Sequence, residues 1–215
     1  MDVYFEKYGF YTVNIDYIKY LHSKDDQVFY NDTKDYERKP HVGILANLGR
    51  HSYCIPLTSA KTKQLNWKNI TEHNYLIYEH VVGSELRSND IYKHIGKRSG
   101  ENLYKKLLGA LEIKKMIPVG ESLYSYIDFS KVLDVEYLSL LQKEYRFLAP
   151  YADAILEKAK TLYSKQKESN IIGNCYCNFT LLENSYSDYV KSITEVNTIK
   201  KGLSHKSPGK TRERR

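Results

Sequence analysis

The chain is poor in the residues that carry most recognisable chemistry. Of its 215 residues only three are cysteine: Cys54, Cys175 and Cys177. So small and odd a set does not build a disulfide framework. The Cys-Tyr-Cys spacing of Cys175 and Cys177 would put two side chains on one face of a strand rather than around a zinc ion. They read as reduced structural thiols. No run approaches the ~18 apolar residues of a membrane span. The N-terminal "MDVYFEKYGFYTV" carries Asp2, Glu6 and Lys7 within its apolar part, unlike a signal peptide. The expected location is the cytoplasm, where the sequons at Asn31, Asn69 and Asn178 mean little. There is no P-loop, no G-x-G-x-x-G, no H-E-x-x-H and no G-x-S-x-G. The seven histidines are scattered, with none at metal-ligand spacing. Acidic residues form no evident two-metal set. No cofactor and no metal is expected.

Positive charge is in excess, but it is unevenly spread. The net charge is +7, and residues 191–215 hold eight basic residues against Glu195 and Glu213. The tail therefore carries +6, leaving the other 190 residues close to neutral. A basic tail points weakly to nucleic acid or another anionic surface, and equally to a disordered solubilising end. The expected division is a domain over 1–190 and a basic, disordered tail over 191–215. Hydrophobic residues make up 41% of the chain and the mean hydropathy is −0.58, which suits one soluble domain with an ordinary core. The excess of 21 Tyr over 6 Phe offers flat faces for bases and hydroxyls for phosphate, although most Tyr in any fold build strands and half-buried helix faces.

Periodicity gives a coarse plan. Phe10 to Val13 is β-rich. A short helix follows, with Asn14 or Asp16 as its cap and Tyr17, Ile18 and Leu21 at helical spacing. Val42–Leu48 and Ser52–Leu57 read as a hairpin turning at "LGRH". "HNYLIYEH" is another strand. Residues 83–112 carry mixed charge and read as partly helical over "ENLYKKLLGALEI". "KKMIPVG" and "SLYSYIDF" read as short strands. Tyr137, Leu138, Leu141, Tyr145 and Leu148 mark a helix, Pro150 interrupts it, and a second helix starts with that proline in its first turn. "NIIGNCYCNFTLLENSYSDY" reads as a strand turning helical. The class is α+β, with strands clustered early and two consecutive late helices.

Five stretches then carry a specific resemblance: "FYTVNIDYIKYL" (10–21), "KPHVGIL" (39–45), "YCIPLTSAK" (53–61), "KKMIPV" (114–119) and "GNCYCNFTLLENSYSDY" (173–189). In this order they resemble the ToxN/AbiQ endoribonuclease toxins of type III toxin–antitoxin and phage abortive-infection systems. The resemblance implies a compact single domain around a twisted antiparallel β-sheet with packed helices. It implies sequence-selective, metal-independent cleavage of RNA. It implies inhibition by a folded RNA antitoxin processed from tandem repeats, with toxin and RNA closing into a cyclic assembly. A non-catalytic RNA-binding protein on the same fold is the alternative.

Metal-free RNA cleavage uses the substrate's own 2′-OH and leaves a 2′,3′-cyclic phosphate. It needs a proton acceptor, a proton donor, and donors to the phosphoryl oxygens. Thr58, Ser59 and Lys61 are suited to the last of these, although a Thr-Ser pair after a strand is by itself more often a turn or a cap. In the resemblance Ser59 matches a serine required for activity and Lys39 an active-site lysine. Two such cations beside one site depress each other's pKa. Tyr17 matches a tyrosine near the substrate, but its spacing with Ile18 and Leu21 also suits a core position. Tyr36 is a looser match. His41 stands where the family pattern has an apolar residue, and would serve as an acid or base if it points into the site.

Overall fold

The computed structural model describes residues 9–30 and 41–204, with only the backbone path for His41, Val42 and 196–204. Among these residues an eight-stranded antiparallel sheet forms one layer and four helices pack on it. The strands are β1 (Tyr11–Val13), β2 (His41–Leu48), β3 (His51–Ser59), β4 (Asn74–Val82), β5 (Tyr92–Arg98), β6 (Glu101–Glu112), β7 (Ile117–Val119) and β8 (Tyr124–Tyr126). The helices are α1 (Ile15–Lys24), α2 (Val135–Leu148), α3 (Ala152–Ser169) and α4 (Phe179–Ser204). The main strand order is β4-β6-β3-β2-β1-β8, with β5 added to β6 and β7 to β3. No helix of the described residues is long and apolar enough to cross a membrane.

The early elements form as their sequence dictates. Asn14 caps α1 by accepting from the Tyr17 amide at 3.0 Å, and Tyr17, Ile18 and Leu21 turn inward. The β2–β3 hairpin runs from Gly43 opposite Pro56 to Leu48 opposite His51. Its close approach needs Gly43, because a Cβ there would meet Cys54 Sγ at 2.3 Å and the Ile55 carbonyl oxygen at 2.5 Å. Pro150 sits in a one-turn 3-10 segment between α2 and α3. A buried polar clasp ties α4 to the core. Glu183 accepts from Tyr53 (2.7 Å), Tyr163 (2.9 Å) and Lys167 (2.6 Å). Burial alone would raise its pKa, but these three donors outweigh it and hold the carboxyl below the usual carboxylate range.

Three expectations change. Residues 101–112 are not helical but one 12-residue strand, β6, lying between β4 on one side and the ends of β3 and β5 on the other. Its apolar run is buried by sheet neighbours and helices together, and burial on both faces erases the alternation that marks a strand. Residues 171–178 form no strand. Cys175 has a left-handed backbone (φ 63°) and is exposed while Cys177 is buried, so the pair does not share a strand face. All three thiols are free, and burial pushes the Cys54 thiol up to about 12. Finally, α4 continues across position 190 to Ser204, into the stretch assigned to the tail, and 205–215 lie outside the described residues.

Candidate active site at the end of strand β3

Strand β3 changes partner along its length. Ser52–Cys54 pair with β7, whereas Leu57, Thr58 and Ser59 pair with Leu111, Ala110 and Gly109 of β6. Thr58 and Ser59 are thus the last two residues of the strand, not a turn beyond it. Successive strand residues point to opposite faces, so one phosphate reaches both hydroxyls only off the strand's end. Ser59 is exposed, and its hydroxyl makes no hydrogen bond among the described residues. Thr58 is half-buried, and its hydroxyl has three long contacts: Ala110 O (3.3 Å), Glu112 Oε1 (3.4 Å) and Gln64 Nε2 (3.5 Å). The hydroxyl accepts from the Gln64 amide, and neither contact to which it could donate is short enough to commit its single proton firmly.

The chain then turns into a short 3-10 segment, Thr62–Asn66. Gln64 is 1% exposed, and its amide oxygen accepts from the Lys61 backbone amide at 2.6 Å. One buried side chain therefore spans from Thr58 to Lys61 and sets their relative position. The Lys61 ammonium lies 6.0 Å from the centre of the Phe29 ring, and Lys115 lies 5.4 Å from the same ring. Lys115 is buried and donates to the Gln27 carbonyl (2.9 Å) and side-chain oxygen (2.7 Å). It has no carboxylate within ion-pair distance among the described residues. Next to it, Lys114 lies over Trp67 (5.9 Å) and Tyr176 (6.0 Å). The β3 end therefore presents the exposed Ser59 hydroxyl and, behind it, the half-buried Thr58 hydroxyl, followed by Lys61, with the buried Gln64 supporting them and Glu112 the carboxylate that touches Thr58. This set suits a phosphate: ammonium and hydroxyl groups address its oxygens.

The structure brings Thr58, Ser59 and Lys61 together. Lys39 and Tyr36 lie outside the described residues. His41 opens β2 opposite Val13, and its side chain is not described. Tyr17 is the correction. It is 0% exposed, donates to the Pro118 carbonyl at 2.7 Å and packs against Tyr186 and Tyr189. Burial, then those two tyrosines, push its hydroxyl far above the ordinary tyrosine value. A ring so enclosed does not stack on a base; Tyr17 is core. Sequence reasoning missed Gln64, Glu112 and Lys115. Lys115 lies inside the "KKMIPV" match; Glu112 gains meaning only from the β3–β6 pairing, and Gln64 from the burial of its side chain between Thr58 and Lys61.

Comparison with known proteins places the chain in a family. The model of the family described as Toxin ToxN, type III toxin-antitoxin system, matches residues 9–187. Endoribonuclease ToxN of Pectobacterium atrosepticum is 29% identical over 188 residues, covering 87% of this chain and 96% of the relative. Endoribonuclease ToxN of Bacillus thuringiensis subsp. kurstaki is 28% identical over 190 residues, covering 84% and 83%. A solved chain from a bacterial antiviral system regulated by a processed non-coding RNA superposes with a TM-score of 0.59 at 28% identity, covering 84% of this chain and 98% of its own. The matched span runs from β1 into α4 and includes every described group at the β3 end, so this chain belongs to the ToxN toxin family of type III toxin–antitoxin systems.

Proposed function

We propose that this protein is a sequence-selective endoribonuclease toxin that cuts single-stranded RNA at the end of β3 without a metal ion. The observation that carries the reading is the convergence of Thr58, Ser59 and Lys61 at one strand end, in a member of this toxin family. The substrate's 2′-oxygen attacks the adjacent phosphorus and the bond to the 5′-oxygen breaks. One proton leaves the 2′-OH and one reaches the departing oxygen, giving a 2′,3′-cyclic phosphate and a free 5′-OH. Ser59 and Lys61 donate to the non-bridging oxygens, and Thr58 completes the cradle. Lys39, which matches an active-site lysine of the family, is the second cation. Tyr36 and His41 hold the RNA. Two relatives are named endoribonucleases, and a third belongs to an antiviral system regulated by a processed non-coding RNA. By extension, this toxin is restrained by a folded RNA made from tandem repeats, closes with it into a cyclic assembly, and acts in the cytoplasm in abortive infection.

Purified protein incubated with RNA in EDTA tests the chemistry. Cleavage leaving cyclic-phosphate ends is expected, with Ser59→Ala losing about 100- to 1,000-fold in rate, the range for removing one oxyanion donor. RNA binding without cleavage by the folded wild-type protein would instead make it a binding module.

A further inference from the structure

Beyond the β3 end, strands β4, β6 and β5 continue as a three-stranded arm whose two faces differ in charge. On the face turned toward α2 the charges are paired. Lys106 meets Asp90 (2.9 Å) and Glu79 (3.7 Å), and Lys143 of α2 meets Glu79 (2.8 Å). The opposite face is continuous with the row that holds Thr58, Ala110 and Leu76. There the register aligns His80, Lys105 and Lys93 side by side across all three strands. None of the three has a carboxylate within ion-pair distance among the described residues. Like charges directly opposite one another destabilise a sheet. Lysine on an edge strand such as β5 guards against strand addition, which accounts for Lys93. It does not account for Lys105, which sits on the middle strand. Lys105 is held in place: its ammonium lies 4.5 Å from the centre of the Tyr78 ring and contacts Asn69 Oδ1. Burial, and then the charge of Lys93, hold its pKa below the ordinary lysine value. An uncompensated cationic row with an aromatic ring beside it fits a phosphodiester backbone, where each phosphate restores the missing charge.

We propose that the His80–Lys105–Lys93 row is a second RNA-backbone site, holding the strand as it leaves the cleavage site. The inference rests on the ribonuclease reading for the direction of the strand, not for the binding itself. Lys105 lies five residues along β6 from Ala110, the partner of Thr58, and the bulge between Leu107 and Gly109 keeps the two on one face, as Leu76 and His80 are on β4. That spacing is about 15 Å in a strand. An RNA must therefore extend several nucleotides past the scissile phosphate to reach the row.

The test compares wild type, the double variant Lys93→Gln/Lys105→Gln, and Lys143→Gln as a control on the paired face. Binding of an unstructured RNA of about twenty nucleotides is measured against salt. The double variant should lower the slope of log K against log salt by roughly 1.4, at about 0.7 per lost single-strand phosphate contact. Lys143→Gln should leave it unchanged. Cleavage of a dinucleotide substrate, which carries only the scissile phosphate, should be unaltered, because nothing in it reaches the row. An unchanged slope in a folded double variant overturns the proposal. So does an equal loss on short and long RNA, which would place the lysines' effect at the cleavage site. If wild type binds without cutting and the slope still falls, the ribonuclease reading fails while the backbone site stands.

Discussion

Glu144 is a carboxyl in the wrong medium. It is 5% exposed on the face of α2 that also buries Leu141 and Leu148, and burial pushes its pKa up from 4.5 to about 8. Near neutral pH the folded protein therefore keeps it protonated, whereas the unfolded chain ionises it. Between about pH 4.5 and 8 the folded state binds the extra proton, so this group's contribution to stability falls as pH rises through that window. Glu144→Gln keeps the shape and removes the titration. Its melting temperature relative to wild type should rise between about pH 5 and about pH 9, as read by thermal scans in matched buffers. A parallel pH dependence in the two proteins would show that another group controls it. Tyr17 teaches the complementary lesson. Its spacing with Ile18 and Leu21 marked a core position, and the family match marked a substrate contact; the enclosed ring and its bond to Pro118 decide for the core.

At the scale of elements, the site depends on how closely β6 approaches its neighbours. Gly109 stands opposite Ser59, and a Cβ there would meet the Thr58 carbonyl oxygen at 2.5 Å and Glu144 Oε1 at 2.8 Å. The first obstacle is backbone, so the β3 end must shift to make room. Gly109→Ala should cost about 1–3 kcal/mol by denaturant titration. It should also lower RNA cleavage more than that stability loss explains in a protein still folded at the assay temperature. Full activity in the alanine variant would show that the position of the β3 end is not critical. α2 and α3 were legible in the sequence because each keeps an exposed face and a helical period, and the hairpin because two β-rich apolar runs flank a turn, although both of its strands bury four consecutive residues. β6 was not, because its run of Leu, Lys, Ala and Glu favours helix locally while its neighbours bury both faces of its C-terminal half.

For the whole molecule, the question is where the working domain ends. Tyr186, Tyr189 and Val190 pack against the core, while residues 191–195 of α4 are exposed. Deleting 191–215 therefore removes most of the net charge but no described core contact. Stability should change by no more than about 0.5 kcal/mol, the usual range for surface changes, and cleavage should persist. A folded truncation that no longer cleaves RNA would assign the basic end a part in catalysis.

By itself the sequence determined the α+β class, the β2–β3 hairpin, the two late helices and the family. Thr58, Ser59 and Lys61 stood out through the family resemblance, since local pattern alone reads a Thr-Ser pair after a strand as a turn or a cap. Only the tertiary structure decided that Tyr17 is core, that Gln64 bridges Thr58 and Lys61, and that Glu112 and Lys115 join the β3 end. Tyr17 with Pro118, Thr58 with Glu112 and Lys115 with Gln27 are far apart in the chain, and the first two meet only in the folded sheet; Gln64 is close in sequence to Thr58 and Lys61, but its role shows only in the bonds its buried side chain makes. The pairing of β6 with β4 and β5 lines up His80, Lys105 and Lys93, three residues that the chain itself keeps well apart.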